Sequence, residues 1–430
     1  LPISFRHNNV SVASPGTYAA NDILCCAYDA DTRKFWVRVN NGSWVGGGDP
    51  AAATSPLATL AAPAGTGYFP ACSGYNNTVA TMNFGQRPFS YTPPTGFKAI
   101  CTSNISVPAD SSKWFYGGSP DFLWIKDRTT GYTHAIADSV RGWELSLLTN
   151  SAAAEVSAPD ISDVNKFGMT LIGDSNYRVN KSNDSYVYWA WQGGGAAVTN
   201  TDGSITSQVS ANPTAGFSIV TFTGNGTAGA TVGHGLGVVP SMIILKERGP
   251  DTNYNWFVYH VSNGNTVYLL LNSPNGYSSG VSAWNNTTPT SSVFTLGSYT
   301  EVNKNTAPFV AYCFASIAGY SAISSYTGNG APDGTFVYCG FRPKYILIKR
   351  SDAIADWFIF DTARDPYNFA YHEIYAEVAN AENSSSGVNS LDILSNGFKL
   401  RTTSTDRNNS GTVYNYMAFA ENPFKYARAR

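Results

Sequence analysis

The pattern of hydrophobic and polar positions repeats three times along the last three quarters of the chain. A glycine followed by an aromatic residue begins each copy: Gly96-Phe97, Gly216-Phe217 and Gly319-Tyr320. A proline lies 24 residues after each glycine and opens an apolar run that ends in lysine: Pro120–Lys126, Pro240–Lys246 and Pro343–Lys349. An aromatic run closes each copy: Tyr186–Trp191, Phe309–Phe314 and Tyr414–Phe419. Three tandem modules of one kind are therefore predicted.

Short alternating runs predict that each module is built from β-strands. In the second copy, Phe217–Thr223 alternates apolar and polar residues and ends at the turn Gly224–Gly226. The third copy repeats this arrangement with Tyr320–Thr327 and the turn Gly328–Gly330. Evenly spaced strands with such turns predict an all-β fold of tandem antiparallel β-sandwich domains, of the concanavalin or jelly-roll type.

The module boundaries follow from the same markers. We predict three β repeats, named repeat 1, repeat 2 and repeat 3, over residues 96–200, 201–318 and 319–430. Each holds roughly 100 residues, which is enough for a core of its own. Residues 1–95 differ from the repeats and predict a separate domain, with a hairpin at 22–39 and further strands at 67–70 and 78–84.

Composition and charge narrow the function classes. The 430 residues are 13 % charged and 14 % aromatic, and the formal net charge at pH 7 is −2. A basic stripe for nucleic acid is missing, and no apolar run approaches the roughly 18–20 residues of a membrane helix. We therefore expect neither nucleic-acid binding nor membrane insertion. Because the chain begins at Leu1 without a methionine, we also expect further sequence upstream.

Residue types of catalytic and metal sites do not cluster in the sequence. The six cysteines form no Cys-x-x-Cys pair and predict free, buried thiols, while the five histidines lack metal-ligand spacing. Gly224–Gly229 spells GxGxxG and Gly276–Gly280 spells GxSxG, but no helix is predicted after either, so they indicate a turn and a loop. We predict no catalytic residues, no metal and no cofactor.

A lysine ends the same predicted strand in every repeat: Lys126, Lys246 and Lys349. Such a cation either binds acidic sugars or carboxylates, or it caps the strand end and pairs with a neighbouring acid such as Asp127 or Glu247. Recurrence at one position of a repeated module favours the structural role.

The aromatic residues divide into two groups. Those of the closing strands recur from copy to copy and predict core positions. Those of the predicted loops differ between copies and suit stacking on sugar rings, with nearby Asn and Ser side chains bonding to sugar hydroxyls. The candidate binding residues of this second group are Trp143, Tyr277, Trp284, Tyr371 and Tyr375. The same rings also suit contacts between subunits.

Residues 1–95 resemble the second half of a SPRY (concanavalin-like) β-sandwich. The matching features are a hairpin, its aromatic pair, a tight turn, a strand and a linker: Ala27–Asp31, Phe35-Trp36, Asn41-Gly42, Tyr68–Pro70 and Asn83–Gly85. The first half of that family's fold is absent from this chain, which supports the expectation of upstream sequence. The linker resembles one found in structural proteins of marine tailed phages.

The repeats resemble an uncharacterised β repeat found at the C-terminus of tail-fibre-like phage proteins, through Thr-Gly-Asn-Gly, the Pro-to-Lys strand and Met417–Arg428. The resemblance implies a non-enzymatic virion structural protein, a tail fibre or appendage whose β-sandwich modules attach to a host-surface glycan or receptor. It also implies contacts with other virion proteins and a homo-oligomer, for which we expect a trimer. Assembly would take place in the host cytoplasm, and the virion would expose the protein outside the cell.

Three alternatives stay open. The chain could be a capsid decoration or head-fibre protein that contacts mainly other virion proteins. It could be a polysaccharide-degrading enzyme, which would need paired carboxylates at a cleft; the sequence offers Asp356 with Asp361, or Glu373 with Glu377. It could also be a cellular lectin-like adhesin.

Overall fold

The computed structural model describes residues 2–7, 10–17, 19–29, 31–60, 83, 89–97, 119–157, 160–165, 168–172, 178–250, 253–384 and 391–421. The chain divides into two compact units, Leu1–Asp110 and Ser111–Arg430. The strands predicted at 67–70 and 78–84 lie outside the described residues, except for Asn83, and so do Cys72, Cys101 and the chain end after Glu421.

The described part of the first unit contains small antiparallel sheets and one 3-10 turn at Val45–Gly47. One sheet is a hairpin of two strands: β1 (Pro2–His7) and β2 (Val10–Thr17). The other sheet has three: β3 (Leu24–Asp29), β4 (Lys34–Val39) and β5 (Ala58–Thr59). The pairing of β3 with β4 confirms the hairpin predicted at 22–39.

Two residues show how local sequence holds this hairpin. The Asp29 carboxylate accepts hydrogen bonds from the backbone N–H of Asp31 (3.0 Å) and from the Thr32 hydroxyl (2.5 Å), so it closes the turn as an acceptor. The Trp36 ring is fully buried, and its indole N–H donates to the carbonyl of Thr54 at 2.8 Å. Its ring also meets Phe97 edge to face, with centroids 6.0 Å apart.

The second unit is all-β and antiparallel throughout the sheets described. The strands of repeat 1 are β6 (Phe122–Asp127), β7 (Ala135–Asp138), β8 (Gly142–Leu147), β9 (Val156–Ser157), β10 (Ile161–Asn165), β11 (Gly168–Leu171) and β12 (Tyr186–Trp191). They form a sheet in the order β12-β6-β7-β8-β9 and a separate hairpin, β10-β11.

Repeat 2 has a larger main sheet. Its strands are β13 (Val198–Asn200), β14 (Ser207–Asn212), β15 (Phe217–Thr223), β16 (Thr231–Gly233), β17 (Met242–Glu247), β18 (Phe257–His260), β19 (Val267–Leu270), β20 (Ser278–Ser279), β21 (Val293–Thr295) and β22 (Pro308–Phe314). Its one-turn helices are α1 (Val281–Trp284) and α2 (Thr300–Asn303). The sheet order is β13-β14-β15-β22-β17-β18-β19-β20, with β16 paired to β21. Since β13 pairs with β14, this sheet starts at Val198, slightly before the predicted boundary at 201.

Repeat 3 follows the same plan. Its strands are β23 (Ser321–Thr327), β24 (Phe336–Tyr338), β25 (Pro343–Arg350), β26 (Trp357–Asp361), β27 (Ile374–Tyr375), β28 (Leu391–Leu394), β29 (Gly397–Leu400) and β30 (Val413–Ala420), with the one-turn helix α3 (Thr405–Asn408). The main sheet is β23-β30-β25-β26-β27, and β24-β29-β28 forms a second one.

One strand order recurs in the three repeats. The closing strand pairs with the Pro-to-Lys strand, which pairs in turn with the next aromatic or apolar strand: β12-β6-β7, β22-β17-β18 and β30-β25-β26. In repeats 2 and 3 the strand after the Gly-aromatic marker joins the far side of the closing strand, as β15 and β23. The equivalent offsets in the sequence therefore correspond to equivalent strands.

The main sheets bury both of their faces. Along β6, Phe122 and Trp124 enter a cluster that all three repeats share, whereas Leu123 and Ile125 enter a cluster of repeat 1 alone. The Pro-to-Lys strands of repeats 2 and 3 alternate in the same way, with Met242, Ile244, Tyr345 and Leu347 on the shared side. Continuous apolar runs such as Met242–Leu245 are the sequence sign of strands covered on both sides.

Each repeat has a core of its own, and a cluster shared by all three repeats adds a further core that the sequence did not predict. Three equivalent aromatic residues of the closing strands meet within it: Trp191, Phe314 and Phe419. Their ring centroids lie 5.4 Å apart for Trp191 and Phe419, and 6.1 Å apart for the other two pairs. Because each ring contacts both others, the repeats form a closed ring around one common core, and each keeps an outer core on its other face.

The glycine motif has a structural role in repeats 2 and 3. The backbone N–H of Asn225 donates to the Asn303 side chain at 2.9 Å, and the N–H of Gly226 donates to its carbonyl at 2.9 Å. Asn329 and Gly330 contact Asn408 in the same way. Gly226 has φ of 69°, a conformation that glycine adopts readily. The turn predicted for GxGxxG is confirmed.

Candidate functional site at the contacts between repeats

The recurring lysines lie buried on the shared side of the sheets. Each ammonium group donates to backbone carbonyls: Lys126 to Asp127 (2.5 Å), Lys246 to Glu247 (2.7 Å) and Lys349 to Ala355 (2.6 Å). Burial lowers the pKa of each lysine to about 8. The structural role favoured by the sequence fits these contacts, although the bonds reach neighbouring carbonyl oxygens and not the carboxylates of Asp127 and Glu247.

A second set of equivalent donors joins the repeats in a cycle. The Trp256 indole N–H donates to the carbonyls of Leu148 (3.0 Å) and Ser151 (3.1 Å), from repeat 2 to repeat 1. The Trp357 indole N–H donates to those of Leu270 (3.0 Å) and Ser273 (3.2 Å), from repeat 3 to repeat 2. Aromatic residues in one strand position thus fix the order of the ring.

His134 occupies the equivalent position in repeat 1 and completes the cycle. Its Nδ1 accepts from the Trp124 indole at 2.8 Å, so Nε2 carries the proton and donates to the carbonyls of Tyr375 (2.9 Å) and Val378 (3.2 Å) in repeat 3. Burial, with the charge of Lys126 as a further cause, lowers the pKa of His134 to about 3. The imidazole is therefore neutral at physiological pH.

Buried ion clusters reinforce two of the three contacts. Between repeats 1 and 2, Glu155 binds Arg141 (2.6 Å) and Arg248 (2.9 Å). Between repeats 1 and 3, Glu382 binds Arg128 (2.8 Å) and Arg364 (3.1 Å). Burial acts to raise the pKa of Glu382, but the two guanidinium groups outweigh it and hold that pKa below its ordinary value.

An aspartate underlies each cluster. Asp138 accepts from Arg141 and from the Tyr312 hydroxyl of repeat 2 at 2.8 Å. Asp361 accepts from the equivalent arginine, Arg364, and from the Trp189 indole of repeat 1 at 3.0 Å. Each carboxylate thus has a donor from its own repeat and one from a neighbour.

The third contact, between repeats 2 and 3, is built differently. His260 stands where the other repeats have aspartate, and Asn263 stands where they have arginine. The His260 ring lies 3.4 Å from the Tyr416 carbonyl, and the Asn263 amide oxygen accepts from the Asn415 side chain at 3.1 Å. Ser351 stands where the other repeats have Arg128 and Arg248, and Arg350, one position earlier, pairs with Asp352 of its own repeat at 2.8 Å.

An open groove of about 550 Å³ lies at this third contact. Repeat 2 lines it with Ser262, Asn263, Val267 and Tyr277, and repeat 3 lines it with Ser351, Asp352, Ser410, Gly411, Thr412 and Val413. Asn263 and Ser351 stand where the other two contacts have arginines, and their short side chains are the physical reason for the space. Tyr277 stands where the other two contacts have glutamate, because its backbone N–H donates to Ser351 as those of Glu155 and Glu382 donate to Arg248 and Arg128.

Tyr277 is the candidate residue that the structure brings to this groove. Its backbone N–H donates to the Ser351 carbonyl at 2.6 Å, and the Ala355 N–H donates to the Pro274 carbonyl at 2.9 Å. A Cβ at Gly276 would approach the Ala353 nitrogen to 2.7 Å, so the two repeats pack closely here. The Tyr277 side chain nevertheless stays 48 % exposed.

A family model described as a domain of unknown function (DUF7483) matches residues 107–423. The chain belongs to this family. The match spans all three repeats, in keeping with one compact unit from Ser111 onwards. No curated protein and no solved structure matches the chain.

The structure corrects the loop position of Trp284. The ring is 1 % exposed and lies in the outer core of repeat 2, edge to face with Tyr259 at 5.9 Å. It ends the one-turn helix α1, which follows directly after Gly280, although no helix was predicted there. Since the ring is enclosed by core side chains, it offers no surface to a ligand.

Three further candidates are half-buried. Trp143 lies on β8 and packs against the outer core of repeat 1, so it is a strand residue and not a loop residue. Tyr375 lies on β27, donates its hydroxyl to Glu373 at 2.9 Å and meets Phe358 edge to face at 5.5 Å. The Tyr371 ring lies against His372, with centroids 4.2 Å apart.

The same long loop of repeat 3 exposes two other aromatic residues. Tyr367 is 84 % exposed and Phe369 is 58 % exposed. The preceding Pro366 and the intervening Asn368, both exposed, are the local signal that distinguishes them from Tyr371 and Tyr375.

The acids considered above as catalytic pairs have structural partners. Asp361 pairs with Arg364, and Glu373 pairs with the buried Arg407. Glu377 accepts from the Trp357 backbone N–H at 3.1 Å and shares a hydrogen bond with Asp356. Burial, followed by that contact with Asp356, raises the pKa of Glu377 to about 8. Among the described residues, no group of three or more His, Cys, Asp or Glu is placed to hold a metal ion.

Three of the cysteines that the structure describes carry free thiols: Cys25, Cys313 and Cys339. Cys25 is half-buried and Cys26 is exposed, so the buried position predicted for these two is wrong. Cys313 and Cys339 are buried in outer cores, and burial raises the pKa of each to about 12, so both behave as small apolar side chains. Across the described ranges, no helix has the length and apolar character needed to cross a membrane.

Proposed function

We propose that this chain is a non-enzymatic structural component of a virion, a tail fibre or similar appendage of a tailed phage, which attaches to glycan on the host surface. The observation that carries the proposal is that different types of residue join the repeats and form the exposed surface of the three-repeat unit. Buried charges and indoles join the repeats, while neutral polar groups and aromatic rings are presented at the groove and in the long loop of repeat 3.

A closed ring around one core suits an attachment module. Each repeat contacts the other two through the aromatic cluster of Trp191, Phe314 and Phe419 and through cyclic hydrogen bonds. Loops held on such a frame lose little conformational freedom when they bind, and a preorganised surface binds more tightly for the same contacts.

The absence of enzymatic activity is part of the proposal. The predicted acid pairs are held by arginine or by a backbone N–H, so an acid would have to leave a buried partner before it could act on a glycosidic bond. Separation of a buried ion pair is strongly unfavourable, with typical values of about 3–5 kcal/mol.

Cell attachment tests the proposed function. The purified chain is expected to bind cells on which the virus grows and to compete with virions for adsorption. The double variant Tyr367→Ala, Phe369→Ala should fold normally, because both rings are exposed, and should bind these cells more weakly. Thr403→Ala, at another exposed position of repeat 3, serves as the control. Wild-type chain that leaves cells and adsorption unaffected would count against attachment, and immunolabelling of the capsid alone would favour capsid decoration.

The proposed assembly is a homotrimer that contacts other virion proteins. A trimer multiplies weak glycan contacts by avidity. Light scattering coupled to size exclusion should therefore give a particle mass of three times the 46.1 kDa of the chain. A mass of 46.1 kDa at micromolar concentration would contradict the trimer. Avidity would then require several copies of the chain on one virion.

A further inference from the structure

The groove between repeats 2 and 3 marks a difference among otherwise equivalent contacts. At the other two contacts an arginine of one repeat, Arg141 or Arg364, reaches a buried glutamate and fills the space. At the third contact the equivalent residue is Asn263, and its short side chain leaves the space open. Repetition of one module supplies the comparison: this groove lies where the filling arginines of the other two contacts are replaced.

The lining of the groove has the chemistry of a site for a neutral polar ligand. Ser262 and Ser410 are exposed hydroxyl side chains, and Asn263 adds an amide. The carboxylate of Asp352 is 45 % exposed, but Arg350 already compensates its charge at 2.8 Å. This pairing leaves the groove without a free cation among the residues that line it, so an anionic ligand gains no strong partner.

Tyr277 adds an aromatic surface to these polar groups. An aromatic ring packs against the C–H face of a sugar, while hydroxyl, amide and carboxylate groups bond to the sugar's hydroxyls. The exposed half of the Tyr277 side chain lies along the groove with Val267 and Val413, which add apolar contact. The volume of about 550 Å³ also falls within the range of small-molecule sites, roughly 300–1,000 Å³.

The walls of the groove are fixed before any ligand arrives. The Tyr277 backbone is bonded to Ser351, and the Ser351 hydroxyl donates to the Val413 carbonyl at 3.1 Å. On the opposite wall, the Asn415 side chain donates a hydrogen bond to the Asn263 amide oxygen. Because both repeats contribute and their backbones are joined, binding does not require ordering of a loop.

We propose that this groove binds a neutral saccharide, with the Tyr277 ring stacked on a sugar face and with Asn263, Ser262, Ser410 and Asp352 bonding to its hydroxyls. The inference rests on the proposed function, because it names the site and the substrate class of the glycan attachment. Of the five aromatic residues predicted from the sequence to bind a ligand, the proposed site keeps only Tyr277 and adds polar groups from repeats 2 and 3.

The test uses the full chain and arrays of immobilised oligosaccharides, neutral ones built from hexoses and N-acetylhexosamines and acidic ones that contain uronic or sialic acids. Wild-type chain is expected to bind one or more neutral saccharides. Tyr277→Ala should weaken that binding by roughly five- to tenfold, the effect of one stacked ring. Asn263→Arg should abolish it, because arginine restores the filling side chain of the other two contacts. Tyr338→Ala, at an exposed tyrosine of repeat 3 that does not line the groove, is the matched control and should bind like wild type.

The outcomes separate the groove from the proposed function. Circular dichroism and thermal melting first establish that each variant is folded, and saturation-transfer NMR with the bound saccharide reports contact with Tyr277 directly. Equal binding by wild type, Tyr277→Ala and Asn263→Arg overturns the groove as the site. Binding of acidic saccharides alone, or of none, also overturns it. Attachment to cells by all of these proteins would then leave the proposed function standing with another site, whereas failure of wild type on cells would count against the function itself.

Discussion

Replacement of Trp191 by alanine is expected to lower the free energy of unfolding of the chain by about 3–5 kcal/mol, the typical loss for a large aromatic residue in a core. The Trp191 ring lies 5.5 Å from Phe122 in repeat 1, 6.1 Å from Phe314 in repeat 2 and 5.4 Å from Tyr345 in repeat 3, as measured between centroids. A cavity at this place removes contacts from all three repeats together. Urea denaturation followed by circular dichroism measures the loss.

Trp143→Ala provides the matched control for this prediction. Trp143 packs only against the outer core of repeat 1 and is half-buried, so its removal should cost less and should leave the contacts among the repeats intact. Both variants should unfold the repeats in one cooperative transition. Equal losses in the two variants, or three separate transitions in the wild type, would contradict the conclusion that one shared core joins the repeats.

The strand plan could be predicted from the sequence because its signals are local. The glycine-to-proline offset and the lysine that ends each Pro-to-Lys strand lie within a few tens of residues, and they correspond to the repeated order β12-β6-β7, β22-β17-β18 and β30-β25-β26. A turn motif such as Gly224–Gly226 is likewise decided by backbone conformation over a few residues. These strands and turns are determined by residues within the same short segment, so the sequence of that segment is enough to predict them.

The shared core could not be predicted in this way. The run Met242–Leu245 shows that a strand is apolar on both faces, but it does not say which partner covers each face. Three separate sandwiches and a single ring satisfy the same local pattern. Only the contacts of Trp191 with Phe314 and Phe419, which are distant in sequence, decide between them.

The candidate site shows the same limit. Tyr277 and Trp284 looked alike in the sequence, since both lie near glycine, serine and asparagine in a segment that differs among the repeats. One turn of helix carries the Trp284 ring into the core, while a backbone bond to Ser351 leaves the Tyr277 ring at the surface. The groove beside Tyr277 arises from the short side chain of Asn263. Its effect can be recognised only by comparison with the arginines at the equivalent positions of the other repeats.

Glu377 is expected to make the chain less stable as pH rises from about 4.5 to about 8. Its ordinary pKa is 4.5, and burial with Asp356 as neighbour raises the pKa to about 8 in the folded chain. In this window the folded chain retains a proton that the unfolded chain has lost. The contribution of Glu377 to the free energy of unfolding therefore falls with rising pH, by at most about 1.4 kcal/mol per pH unit for one proton. Burial lowers the pKa of His134 from 6.5 to about 3 and that of His260 to about 4, and these groups contribute in the opposite direction below about pH 6.5.

The equivalent residues of repeat 2 show why the proton is retained. There the Asn272 side chain accepts from the Trp256 backbone N–H at 3.0 Å and donates to Asn255 at 2.9 Å. Glu377 accepts from the Trp357 N–H in the same way, and only its protonated form can donate to the Asp356 carboxylate as the amide does. The Glu377–Asp356 pair therefore needs a proton to form the hydrogen bond that the two amides of repeat 2 form without one.

Glu377→Gln should remove this pH dependence. The glutamine amide donates to Asp356 at every pH, so the free energy of unfolding of the variant should gain on that of wild type steadily from about pH 4.5 to 8 and exceed it at pH 8. The contributions of the buried histidines are common to both proteins and cancel in this difference. Urea denaturation at half-unit pH intervals measures both curves. Asp356→Asn is the second variant, since its amide can donate to an ionised Glu377 and should give the same gain over wild type across this pH range.

The buried lysines supply an internal control in the same titration. Burial lowers the pKa of Lys126, Lys246 and Lys349 from 10.5 to about 8, so between these values the unfolded chain binds more protons than the folded chain. Stability contributed by these groups should rise with pH from about 8 to 10.5 in wild type and in both variants, because neither substitution removes a lysine. A difference in free energy of unfolding between Glu377→Gln and wild type that stays constant from pH 4.5 to 8 would refute the carboxyl pair as the holder of the retained proton.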